Sequence, residues 1–508
     1  MQPKTPITPI KLCFINACSA CLLASFTGCA GYGTATFEDP AAVVYDPSRT
    51  VRSRVLATDQ LAAEVRAGTA DREATKRTFS DLAWATALPL ELRAAGLRGL
   101  VDDSELDADA RELVRLMLPR EQVDDMTALL SETAASRGWT ETTPSLVRSL
   151  SRPNVKPDEE RSEYLAIRRL HPDQSVAAVA FGVFMQPEPE GTPPAMQWSD
   201  RTRADAWDLL ARLDPSGALR AELLVGIEPR EAPVGSRRSL EALRRGLREL
   251  RVVPITGDEL RWLLRLADTA DQSNAAWWAE SSSIIASIPA SNTGRLEVRH
   301  IEAVRWASNN APELLALDRN QLFQRAQTTL QGRDQIRRTA DVDILGRART
   351  EKLESWDESL GWGDLLTLLV TDRAIQSGSV LRELARQAEL DRRDRTTEYG
   401  GMIEHAGDTF EALLYAPRPS QRVNDRTFIA SRDLIEASDR ALVHYHLHAQ
   451  STSGRAFAGP SAGDQTYAAR SGRTCVVITT VSEGMLNVDL YQPDGAVIDL
   501  GTFAAGSE

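Results

Sequence analysis

Apolar residues recur every three to four positions over most of the chain, and every second position only near its end. From about residue 51 to 390 the pattern is helical almost throughout. Leu90, Ala94, Leu97 and Val101 form one apolar stripe, and Leu240, Leu243, Leu247 and Leu250 a second. Leu260, Leu263, Leu264 and Ala267 form a third, opened by Thr256-Gly257-Asp258-Glu259, which reads as a capping box. Polar, proline-bearing breaks such as Ser151-Arg152-Pro153-Asn154 and residues 187–194 separate the helices, the latter as an exposed loop. After Arg395 the period changes. Short β-type runs occupy 410–416, 441–447, 475–481, 486–491 and 496–500, and Pro493-Asp494-Gly495 turns the last two into a hairpin. Two helical stretches, near 429–438 and 461–470, intervene. The expected architecture is an all-α region over 51–395 followed by a small α/β domain over 396–508.

Within the helical region, pairs of helices follow one another through short connectors. In 159–185, Tyr164, Ile167 and Leu170 lead through His171-Pro172-Asp173 into Val176, Val179 and Val183. This succession is similar to HEAT-type solenoid repeats, in which each pair buries its stripe against the next; a plain helical bundle fits the same stripes. Trp277-Trp278 and the Arg/Asp-rich stretch 333–349 are candidate surfaces for a partner protein, against plainer readings as a core anchor and a solvated face.

The first fifty residues carry neither pattern. Lys4 and Lys11 precede an apolar stretch, 12–26, that is too short to span a bilayer and fits the core of a signal peptide over residues 1–28. It ends in Phe26-Thr27-Gly28-Cys29, which resembles a bacterial lipobox, where the cysteine thiol accepts a diacylglycerol. The resemblance implies lipidation of Cys29 and a membrane-anchored protein of the bacterial cell envelope. Ala30 stands where an inner-membrane retention signal has Asp, which implies the outer membrane in a diderm host. Residues 29–50 read as a flexible tether. Losing Lys4 and Lys11 with the signal would take the net charge from −13 to −15. Of the five cysteines only Cys29 and Cys475 would remain, so no internal disulfide is expected. A pI near 5.2 excludes a general nucleic-acid binder, which needs a basic face.

The candidate chemistry lies near the C-terminus. His444, His446 and His448 alternate along a strand, so their imidazoles share one face at intervals of about 7 Å, close enough for two to grip one metal ion. Downstream, Gly459-Pro460-Ser461-Ala462-Gly463-Asp464 enters a helix; upstream, Glu398-Tyr399-Gly400-Gly401-Met402-Ile403 leads into an apolar strand. Two histidines and an aspartate as ligands, an open position for water and a separate glutamate as base make a set suited to zinc. Alternatives remain: His444 with His446 as the pair, Glu404 as the base, and Ser461 to Asp464 as a helix cap alone. Cys475 reads as a small buried hydrophobe.

The arrangement resembles the JAMM (JAB/MPN) metalloprotease family, whose pattern is a Glu followed closely by Gly and an aliphatic residue, then His-x-His, then Ser-x-x-Asp. Glu398 with Gly401, His446-Leu447-His448 and Ser461-Ala462-Gly463-Asp464 match in that order across 396–508. The resemblance implies a mixed sheet, Zn²⁺ held by His446, His448 and Asp464, Glu398 moving the proton and Ser461 helping to hold the oxyanion. It also implies cleavage of a peptide or isopeptide bond in a protein or peptide substrate. Two departures stand out: Ala449 replaces the family's usual Pro, and Ser451-Thr452-Ser453-Gly454 lengthens the gap before Asp464. The competing expectation is a non-catalytic envelope scaffold whose helical array binds a partner protein.

Overall fold

A computed structural model describes residues 36–188, 196–336 and 351–505. The signal and lipobox, Cys29 included, lie outside these residues, as does most of the stretch 333–349. The chain divides after Leu113 into two compact units.

In the first unit, part of the expected tether is folded. Residues Pro40–Tyr45 form a helix because Asp39 caps it, accepting from the Ala42 amide at 3.0 Å, and Pro40 presets its first turn. Val44 on that helix is fully buried, and Phe37 exchanges two 2.9 Å hydrogen bonds with the Gln60 side chain. The lack of a regular apolar period over 36–50 hid these few anchoring contacts. In helix Leu90–Val101 the buried face is broader than the Leu90 stripe, running from Leu92 to Leu97 and on to Leu100.

The second unit begins with helices and ends in a sheet, the change falling between helix Gly378–Arg393 and the first strand at Gly400. Thr256 caps helix Gly257–Leu266 as expected, accepting from the Glu259 amide at 3.0 Å. The other half of the box differs. The buried Glu259 carboxylate does not return to Thr256; it takes the amides of Ile255 and Val298, each at 2.6 Å. The Leu240 stripe also bends, because Gly246–Leu250 adopts a π-helical turn that leaves Leu247 half-buried while Leu240, Leu243 and Leu250 are fully covered. Trp277 and Trp278 are core anchors, donating to Glu302 and Glu249.

Six strands follow: β1 (Gly400–Ala406), β2 (Thr409–Leu414), β3 (Val443–His448), β4 (Cys475–Ser482), β5 (Met485–Tyr491) and β6 (Val497–Ala504), in spatial order β2-β1-β3-β4-β5-β6. Only the central pair β3–β4 is parallel, so the sheet is mixed. A parallel pair needs a crossover, and helix Ala462–Ser471 supplies it. Alternation along β3 sends Tyr445 and Leu447 toward one face, where Tyr445 donates to Gln387 of helix Gly378–Arg393. The three histidines go to the other.

Polar links join the helices of this unit to the sheet. Asp439 takes both Arg265 nitrogens at 2.6 and 2.7 Å and, through its carbonyl, the Trp262 indole at 2.8 Å, while Arg473 stacks 3.9 Å over that indole. Arg299 bridges Glu297, Asp364 and the Thr474 hydroxyl. Packing where β1 meets its neighbours is equally tight: a Cβ on Gly401 would run into the Leu413 carbonyl and lie 2.8 Å from the Tyr445 hydroxyl. Gly401→Ala should therefore lower stability by about 2–3 kcal/mol, read as a fall in the thermal midpoint.

Candidate metal centre

Because β3 is a regular strand, His446 and His448 emerge from one face two residues apart, and their Nε2 atoms turn toward each other to 3.2 Å. Asp464 arrives from the crossover helix. Its Oδ1 lies 3.3 Å from His446 Nε2 and its Oδ2 3.9 Å from His448 Nε2. Ligands about 2.0–2.1 Å from a tetrahedral zinc are about 3.3 Å from one another, so two of these three edges have that length.

The cap that starts the helix also aims the aspartate. Ser461 Oγ accepts from the Asp464 amide at 3.2 Å, and Asp464 Oδ2 accepts from the Ser461 amide at 2.6 Å, a reciprocal capping box. The cap and site readings therefore hold for the same residues, and the Ser461 hydroxyl hydrogen stays available as a donor on an exposed residue.

The imidazoles are oriented from behind. His448 Nδ1 stands 2.8 Å from the Phe457 carbonyl, which can only accept; the hydrogen is on Nδ1, and a neutral ring then offers its Nε2 lone pair forward. His446 Nδ1 lies 3.4 Å from the Tyr491 hydroxyl, and Phe428 stacks on the His446 ring at 5.6 Å between centroids. A donor set of two imidazoles and one carboxylate, with at least one nitrogen lone pair directed inward, fits zinc.

Burial alone would favour neutral side chains here, but the His446–Asp464 pair resists it. Against that penalty, the adjoining imidazoles hold Asp464 below the usual carboxylate range, and the Asp464 charge holds His446 above the usual imidazole value. Glu398, 5% exposed, shifts the other way: burial raises it, with Asp464 adding like-charge repulsion and His446 partly offsetting both. One carboxylate oxygen of Glu398 and one nitrogen of each histidine lie within 4.8 Å of one another, so Glu398 borders the site. Gln450 fixes it, donating to Glu398 Oε1 at 3.1 Å and to the Asp425 carbonyl at 3.1 Å.

The alternative residues fall elsewhere. His444 is buried against helix Ala462–Ser471, its Nδ1 2.8 Å from the Tyr467 hydroxyl, and burial pushes it well below the ordinary imidazole value. Glu404 sits across β1 from Glu411, toward the opposite end of the strand from the Gly400–His446 pairing. Cys475 is buried, and burial raises its thiol to about 12. Gln450, Phe428, Tyr491 and Phe457 carry no motif, and only the fold brings them here.

Asp391 is a further residue without a sequence signal. Fully buried behind Glu398, it accepts the Tyr399 amide at 2.6 Å through Oδ1, while Oδ2 has no hydrogen-bond partner among the described residues. Burial pushes it up to about 8, with Glu398 and Asp425 adding to the shift. The unfolded chain releases this proton near 3.8, the folded chain near 8, so stability falls as pH rises between those values. The unfolding free energy, measured by denaturant titration with chelator present, should drop over that window by at most about 1.4 kcal/mol per pH unit. Asp391→Asn should flatten the drop.

A second gathering, Glu351 with Asp489 and Asp499, is all carboxylate, and burial raises Asp499 to about 7. It lacks the nitrogen donors of the histidine site. Among the described residues no helix is long and apolar enough to cross a membrane. Neither a protein-family model nor a curated protein nor a solved structure matches the chain.

Proposed function

We propose that this protein is a lipid-anchored, zinc-dependent hydrolase that cleaves a peptide or isopeptide bond, with a JAMM-like C-terminal domain and a HEAT-like helical region that engages its substrate or a partner protein. One observation carries the reading: His446, His448 and Asp464 face one another at 3.2, 3.3 and 3.9 Å, beside a separate buried glutamate.

His446, His448 and Asp464 would hold the metal, which supplies Lewis acidity and brings the pKa of water toward 7. The remaining chemistry belongs to the chain. Glu398, held by Gln450 and raised by burial, is poised to take a proton from the attacking water and deliver it to the leaving nitrogen. The Ser461 hydroxyl, whose oxygen is committed to the Asp464 amide, has its hydrogen to give to the oxyanion as charge develops. Anchoring rests on Cys29, and Cys29→Ser should move the protein from the membrane to the soluble fraction.

The test is metal content and hydrolysis on one preparation of the chain from Cys29 onward. About one zinc per chain is expected, together with cleavage within a peptide library that a chelator abolishes and zinc restores. A folded protein that binds no zinc and cleaves nothing would leave the scaffold reading, in which the helical array binds an envelope partner and the sheet serves as structure.

A further inference from the structure

The chain between His448 and Asp464 is built as a wall of the site. Gly454 donates its amide to the Thr480 carbonyl at 2.8 Å, a single 3₁₀ turn Arg455–Phe457 follows, and the Phe457 amide closes on the Gly454 carbonyl at 2.8 Å. The Phe457 carbonyl takes His448 Nδ1 at 2.8 Å, and buried Ala458, Gly459 and Pro460 then lead to Ser461. The turn is thus tied at both ends and to a candidate ligand. Yet it presents an aromatic ring to water: Phe457 is 63% exposed, more than any other Phe, Tyr or Trp among the described residues.

A single exposed apolar residue needs no explanation by itself. Here the backbone that bears the ring is tied to His448 Nδ1, and side-chain dimensions put the ring within about 11 Å of that residue's Nε2, the reach of about three extended residues. Phe428, by contrast, has its face already occupied by His446. Exposed Arg455, in the same turn, places positive charge on the rim and works against a basic side chain there.

We propose that Phe457 forms an apolar specificity subsite, so that the substrates are polypeptides with a large apolar, non-basic side chain within three residues of the scissile amide. This rests on the hydrolase reading. One apolar side chain in such a subsite discriminates by about 10–100-fold.

The test uses zinc-loaded full-chain protein and quenched-fluorescence peptides in which each residue near the cleaved bond is varied. Wild type should prefer Phe, Leu or Met over Ala at one position by about 10–100-fold in kcat/KM. Phe457→Ala, which retains the backbone carbonyl that meets His448, should keep its zinc and shrink that preference to about threefold or less; Phe457→Leu should restore most of the preference. Binding of the same peptides to metal-free protein, read by anisotropy, should show the same ranking. A preference unchanged in Phe457→Ala, or an equal loss on every peptide together with loss of zinc, overturns the subsite. Wild-type cleavage without apolar preference overturns the subsite alone, whereas no cleavage of any peptide overturns the hydrolase reading and the subsite with it.

Discussion

His446→Ala protein is expected to purify without zinc and to hydrolyse nothing above background. His446 is the centre of the arrangement: its Nε2 faces both His448 and Asp464, and its ring is clamped by Phe428 and backed by Tyr491. Removing a partner that merely orients a ligand typically costs 10–100-fold in metal affinity, so removing the ligand itself should cost at least about 100-fold. The substitution also strips Asp464 of its nearest imidazole, leaving a largely buried carboxylate without its main favourable charge. The control is on the same strand. His444→Ala removes an imidazole of equal burial that faces Tyr467 instead, and it should keep its zinc. Metal analysis of both variants decides the matter: zinc retained in His446→Ala, or lost equally from both, would mean the strand supports the site without furnishing its ligands.

Glu398→Gln should do the opposite, keeping its zinc and losing turnover by about 10²–10⁴, the usual contribution of a positioned general base. The amide preserves shape and can still accept from Gln450 through its oxygen, so the local fold should survive. What disappears is a carboxylate able to cycle one proton, in a site where burial already raises its affinity for that proton. Bound zinc and hydrolysis should be measured on the same samples. Full zinc with unchanged turnover would remove Glu398 from the mechanism; zinc lost along with activity would recast it as a ligand.

Much of the C-terminal sheet region is legible in the sequence because strand alternation is a short-range property. β3, β4, β5 and the hairpin at Pro493-Asp494-Gly495 fall where apolar runs and turn residues place them, and Gly495 takes the positive φ the turn requires. The histidine face follows from period two alone. Choosing among the histidines does not, since all three share that face; the choice depends on what the crossover helix brings, Tyr467 to His444 and Asp464 to His446. The helical stripes locate helices but misplace some faces, because a π-turn at Gly246–Leu250 and the long-range capture of Val298 by Glu259 are set by tertiary contacts. Gln450 is invisible for the same reason, since it matters through hydrogen bonds to Glu398 and Asp425, both distant in sequence, while Asp391 takes the amide of nearby Tyr399 in a pattern that no sequence motif marks.

The site's parts are also separated along the chain and across the sheet. Glu398 precedes β1, the histidines lie on β3, and Asp464 joins them only once the chain has crossed over to lay β4 parallel to β3. Non-local parallel pairing is among the slower steps a chain takes, because loop closure must come before the contacts that reward it. A nascent chain crossing a membrane unfolded would thus carry every residue of the centre and none of its reactivity. On the proposed reading as an exported hydrolase, synthesis and export would proceed beside the cell's own polypeptides in safety, and hydrolysis would switch on only when the sheet closes at the destination.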